Sequence, residues 1–136
     1  MDKYLMIKTR DELLRLNIEH ILYFEADRNY TKLLLSEGIQ FTFAVNIGKV
    51  EEMMAAQITD PTTVLIRVGK SHIVNKKHIL QINLPKQKLL LLADEGKPRE
   101  LTIPKEPLRA LKDSLEAEVL GLSKNTAEEE VPGDEN

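Results

Sequence analysis

The close spacing of its short apolar runs constrains this chain more than any single motif. Runs at 4–8 (YLMIK), 12–16 (ELLRL), 21–25 (ILYFE), 31–36 (TKLLLS) and 39–45 (IQFTFAV) follow one another across a few polar residues. Others come at 64–68, 72–75, 78–84, 88–93 and 99–103. Parallel neighbours need a crossover of about a dozen residues or more, whereas antiparallel neighbours need only a tight turn. These intervals predict a mainly β fold of about ten short, mostly antiparallel strands with no βαβ rhythm. Turn signals fall between the runs, in ADRNY, Glu37-Gly38 and Asp94-Glu95-Gly96-Lys97, where Asn, Asp and Gly suit the backbone of turns.

Two segments break the β pattern. Asn46 suits a helix N-cap, and Ile47, Val50, Met54 and Ile58 behind it form one helical stripe, predicting a helix over about 46–57. The methionine there is read as core filling. Pro107 suits the start of a helix, where its missing N–H costs nothing. Leu108, Leu111, Leu115 and Val119 then mark a second helix over about 106–120.

A length of 136 residues allows one domain with a real core. No window holds the eighteen or so uninterrupted apolar residues of a membrane span, and MDKYLMIKTR lacks the apolar stretch of a signal peptide. The absence of cysteine excludes disulfides, thiolate metal sites and cysteine catalysis. These features point to the cytoplasm and to no membrane partner. The net charge of −3 conceals a segregation: residues 116–136 hold seven acids and one base, whereas 67–112 hold eleven bases and four acids. A positive local field of that kind steers anions. From 121 to 136 the chain is acidic and non-periodic, the composition of a disordered tail.

Residues suited to catalysis are sparse. Gly69-Lys70-Ser71 lacks the upstream glycine of a phosphate loop and no helical stripe follows it. His20, His72 and His78 fall in different elements without metal-ligand spacing. Glu25 and Asp27 share one strand face, but a turn-forming Asp27 and a Glu25 satisfied by backbone or a base explain them without chemistry. The expectation is no enzyme, no cofactor and no metal site.

Three separated segments resemble the LytTR DNA-binding domain family. HILYFEADRNYTKLLL (20–35) is similar to its I-x-Y-[IF]-E-A-x-x-N-Y strand and loop. VLIRVGKSHIVNKKHILQI (64–82) is similar to its F-x-R-x-H-R-S-[YF]-[IL]-V-N-x-x-x-I element, and 89–112 to its closing strand pair, V-S-R step and terminal helix. Order and spacing agree over about residues 3–115. The resemblance implies an elongated β–β–β fold whose loops, not a recognition helix, enter the major groove. It also implies a bacterial, response-regulator-like transcription regulator that reads paired direct repeats in promoter DNA, as a homodimer or side by side, with a sensor or regulator protein upstream. The domain would run over 1–115, its terminal helix continuing to about 120.

On that resemblance three places carry the contacts: the loop with Arg28, Asn29, Thr31 and Lys32; the bend with Lys70 and Ser71; and Lys105 after Pro104. Lys70, Thr31 and Lys105 would reach toward bases. Arg28, Asn29, Lys32, Ser71, Lys76 and Lys77 would position the protein on phosphates, which supply most non-specific affinity. Asn75 is expected to close a turn rather than touch a base. Departures from the family pattern also matter. Lys70 and Lys105 replace arginines, and a lysine is a point charge without the planar fork of guanidinium. Gly69 replaces a histidine. These changes, with the acidic tail, leave an alternative: a protein-interaction module on the same fold that has lost specific DNA reading.

Overall fold

The computed structural model describes residues 3–60, 63–94 and 96–122. Ten strands and two helices follow in the order β1 (Tyr4–Lys8), β2 (Leu13–Asn17), β3 (Ile21–Asp27), β4 (Tyr30–Leu35), β5 (Gln40–Phe43), α1 (Ile47–Gln57), β6 (Leu65–Val68), β7 (His72–Asn75), β8 (Ile79–Asn83), β9 (Lys88–Leu92), β10 (Pro98–Thr102) and α2 (Lys105–Leu122). Every strand pair is antiparallel. They form three sheets: β1-β2, the central β5-β4-β3-β7-β6, and β10-β9-β8. Strand bounds agree with the sequence reading to within a few residues. Asn46 caps α1 as expected, its side chain accepting from the Lys49 N–H at 2.8 Å. α2 starts at Lys105 and runs through Leu122, which puts Pro107 in its first turn, where backbone N–H groups have no helical acceptor. The acidic segment from 123 onward lies outside the described residues, as do Glu95 of the hairpin turn and Pro61 and Thr62 beyond α1.

Both faces of the central sheet are covered, which explains its nearly continuous apolar strands. One face packs with the first sheet and α1 around Leu5, Ile7, Phe24, Leu33, Phe43, Val50 and Ile73. Phe24 and Phe43 meet edge to face, with ring centroids 6.4 Å apart, a geometry worth about 0.5–1.5 kcal/mol beyond area burial. The other face packs with the third sheet and α2 around Leu22, Val68, Val74, Leu89, Leu91, Ile103 and Leu108. Period-two alternation sends Ile73 to the first core and Val74 to the second. A register shift between Ile21 and Tyr23 lets Ile21 and Phe24, three apart, both enter the first core.

Polar side chains fix the joints. Gln57, ending α1, holds both polar backbone groups of Met6, accepting from its N–H at 2.8 Å and donating to its carbonyl at 2.7 Å. Buried Asn75 donates to the Ile21 carbonyl at 2.9 Å and accepts from the Lys77 N–H at 2.9 Å. Ser36, also buried, donates to Asp94 Oδ2 at 2.8 Å, and its carbonyl accepts from the Asp94 N–H at 2.9 Å. The second pair of contacts stitches the central sheet to the third.

Candidate nucleic-acid interface

Antiparallel pairing brings the loops of interest to one edge. β3 ends at Asp27 and the two-residue turn Arg28-Asn29 leads into β4. β7 pairs with β3 so that His72 faces Glu25. The bend Gly69-Lys70-Ser71, which precedes His72, must therefore lie beside that turn. A hydrogen bond seals them: the Ala26 N–H donates to the Ser71 carbonyl at 2.8 Å. The third piece arrives from α2. A Cβ built on Gly69 would stand 3.1 Å from both Cβ and Cγ of Pro107. Val68, Gly69, Lys70, Ser71 and His72 line one groove with Thr102, Pro104 and Pro107.

The backbone of this edge is unusual. Gly69 has φ 64°, and Arg28 has φ 60° without being glycine. A left-handed non-glycine residue costs about 1–2 kcal/mol, and such strain collects at functional sites. Arg28, Asn29, Tyr30, Lys70, Ser71, Pro104 and Lys105 are all exposed. Lys105 begins α2, so an exposed cation stands beside the partial positive charge of a helix N-terminus.

The profile of the LytTr DNA-binding domain matches residues 11–116. The chain belongs to that family. A solved structure from Bacillus cereus, described as the LytTr DNA-binding domain of a methyl-accepting/DNA response regulator, shares the fold with a TM-score of 0.57. It is 22% identical, over 83% of this chain and 96% of that one. No curated protein matches. The expected mainly β, LytTR-type architecture is what the structure shows, and DNA binding by a regulator is the general function of the family.

In this LytTr domain the sequence-predicted contact residues do not all reach the edge. Arg28, Asn29, Lys70, Ser71 and Lys105 do. Lys32 lies two residues up β4 and forms a long ion pair with Asp27, 3.9 Å apart, with both side chains well exposed. Thr31 corrects an expectation. It is 0% exposed, and its hydroxyl donates to the Val45 carbonyl at 2.8 Å. Strand alternation turns Thr31 inward, between outward Tyr30 and Lys32, so its hydroxyl ties β4 to the approach of α1 and is not presented at the exposed edge. Lys76 and Lys77 lie away from this edge. They sit in the short 3-10 turn at the far end of β7, beyond its four residues, roughly 16 Å along the strand from the bend. Lys76 pairs with Glu118 of α2 at 2.6 Å, and Lys77 with Glu19 at 3.3 Å. Asn75 is structural, as expected.

Sequence reasoning missed residues that tertiary structure adds to the edge. Lys88 pairs in register with Thr102 and donates to its hydroxyl at 2.8 Å. Thr102 lines the groove beside Lys70. The turn before β9 carries exposed Lys86 and a left-handed Gln87, φ 56°. Its Gln87 carbonyl accepts from the Ile103 N–H at 3.1 Å, next to Pro104. Lys86 and Lys88 thus extend the basic edge along the third sheet. A basic turn one strand away from the contact motif carried no local signal.

The remaining titratable groups behind the edge are internally matched. His72 Nε2 lies 3.2 Å from Glu25 Oε2, and the His72 ring meets Tyr23 edge to face at 6.5 Å. Burial pushes the Tyr23 phenol up, with the Glu25 charge adding to the effect and Arg99 opposing it. Glu25 therefore has a base for a partner, the bland role expected of it. Among the described residues no group of three or more His, Asp or Glu side chains is placed to hold a metal ion. No helix there is long and apolar enough to cross a membrane.

Proposed function

We propose that this LytTr domain is a sequence-specific transcription regulator that reads direct repeats in promoter DNA through loops inserted in the major groove, in the cytoplasm of a bacterium. One observation carries the reading: the Arg28-Asn29 turn, the Gly69-Lys70-Ser71 bend and the start of α2 converge on one exposed basic edge, from segments far apart in sequence. Lys70 and Lys105 are the base readers, projecting from a bend and a helix start that the fold holds against each other. Lysine can donate to guanine O6 and N7, although less selectively than arginine. Arg28, Asn29, Ser71, Lys86 and Lys88 take the phosphates along the edge, and exposed Lys32, two residues up β4, takes a flanking one. Side-by-side occupation of two repeats makes the working form a pair of domains on DNA. The DNA-binding unit is 1–115 together with the rest of α2 through Leu122, and the acidic segment that follows is outside it.

The test is selection from a randomised duplex pool, followed by anisotropy on recovered and scrambled duplexes. Lys70→Ala and Lys105→Ala should each cost roughly 1–3 kcal/mol on the recovered site and much less on the scrambled one. Lys77→Ala, at the far end, should change neither. Lys86→Ala should weaken both duplexes and flatten the log–log salt slope by about 0.9. Failure to enrich any sequence, with no duplex affinity at low salt, would instead favour the protein-interaction module.

A further inference from the structure

Arg67 is a base that the DNA reading leaves unused, although it sits two residues before the bend. Alternation along β6 puts it on the side of Leu65, toward the first core and α1, away from Ile66 and Val68. Its guanidinium makes three separate bonds there. Nε donates to the Gly69 carbonyl at 3.0 Å and Nη2 to the Lys70 carbonyl at 2.8 Å. Nη1 donates to Oε1 of Glu51, on α1, in a short ion pair. The side chain is 26% exposed. Each guanidinium nitrogen thus has an acceptor, and an adjacent carboxylate matches the charge.

We propose that Arg67 is the positioning residue of the reading bend, a role that rests on the DNA-binding reading above. The bend needs an outside brace because its left-handed Gly69 has no side chain to restrain it and the Gly69 and Lys70 carbonyls lie beyond the β6–β7 ladder, which ends at Val68 and His72. The planar fork of Arg67 grips both carbonyls at once and leans on Glu51. Lys70 is thereby aimed from a fixed backbone, with its ordering cost met before DNA arrives. α1, through Glu51, becomes part of the reading apparatus without touching DNA. A lysine at 67 would keep the charge but could not meet three acceptors in one plane.

That contrast supplies the experiment, on the 15N-labelled full chain. Arg67→Lys and Arg67→Ala should move the amide signals of Gly69, Lys70 and Ser71 in the free protein. Signals from β9 should stay in place, showing that the fold survives. On DNA both variants should lower the ratio of recovered-site to scrambled-duplex affinity by about tenfold or more, with the salt slope unchanged. Glu51→Gln, which retains an acceptor, should have a smaller effect on the same ratio. A direct phosphate contact would behave differently. Arg67→Lys would then bind like the parent, while Arg67→Ala would lose affinity on both duplexes and lower the slope by about 0.9. Either that pattern or unmoved amide signals would overturn the assignment. A parent chain that binds no duplex would defeat the DNA reading itself. The amide signals, recorded without DNA, would still decide whether Arg67 holds the bend.

Discussion

Thr31→Val separates a base-reading threonine from a buried strut. The substitution removes one hydroxyl, keeps the β-branched shape and suits a strand. The hydroxyl is wholly buried and donates to the Val45 carbonyl at 2.8 Å. Losing a net hydrogen bond costs about 1 kcal/mol, and stranding its buried partner costs about 1–3 kcal/mol. Val45 is only half-buried, so water can recover part of the second term. The new methyl enters an apolar environment and returns up to about 0.8 kcal/mol. The balance is a loss of about 1–2 kcal/mol. Urea unfolding should show it as a midpoint lowered by about 0.5–1.5 M at unchanged slope. Affinity for the recovered DNA site, measured well below the midpoint, should stay within about twofold of the parent. A tenfold loss of specific affinity at an unchanged midpoint would refute the reasoning and return Thr31 to the DNA.

Asn75→Ala should cost about 3 kcal/mol in the same unfolding assay, because it strands the Ile21 carbonyl and the Lys77 N–H and leaves a cavity. Gly69→Ala and Gly96→Ala both place a side chain at positive φ, 64° and 86°, but only the first meets Pro107, at 3.1 Å. Both should destabilise by about 1–2 kcal/mol, and Gly69→Ala by more and with loss of DNA affinity; equal effects would argue against the close approach. Tyr23 has its folded pKa raised above 10.0, so the folded state holds the phenolic proton longer than the unfolded state. Its contribution to stability is complete below pH 10.0 and falls as pH rises through the folded value. Tyr23→Phe should remove that part of the alkaline loss in pH-dependent urea titrations.

The sequence read well wherever the controlling physics was local. Turn residues and period-two runs marked the ten strands, and the Asn46 cap with its apolar stripe marked α1. Family resemblance then pointed to the turn at Arg28, the bend at Lys70 and the step at Lys105, and pairing between β3 and β7 places the first two together. It read poorly where one residue's offset along a strand chose its face. Thr31 sits among exposed loop residues and reads as a contact, yet its neighbour Tyr30 faces water while Thr31 is buried opposite Phe43 of β5.

Lys76 and Lys77 are near Lys70 in sequence. In an extended strand nearness in sequence is length in space, so β7 carries them to the opposite end. Lys86 shows the converse: antiparallel return brings a turn from the third sheet back to the edge. Arg67 looked like one more positive charge in a basic run, and only α1, folded across the sheet, supplies the Glu51 that makes it a brace. By itself the sequence determined strands, turns, caps and the sign of the edge, because these depend on neighbours in the chain. Which cations stand on the exposed edge and which pair within the scaffold was decided by tertiary structure, because a charge is spent on whichever partner the packing brings within reach.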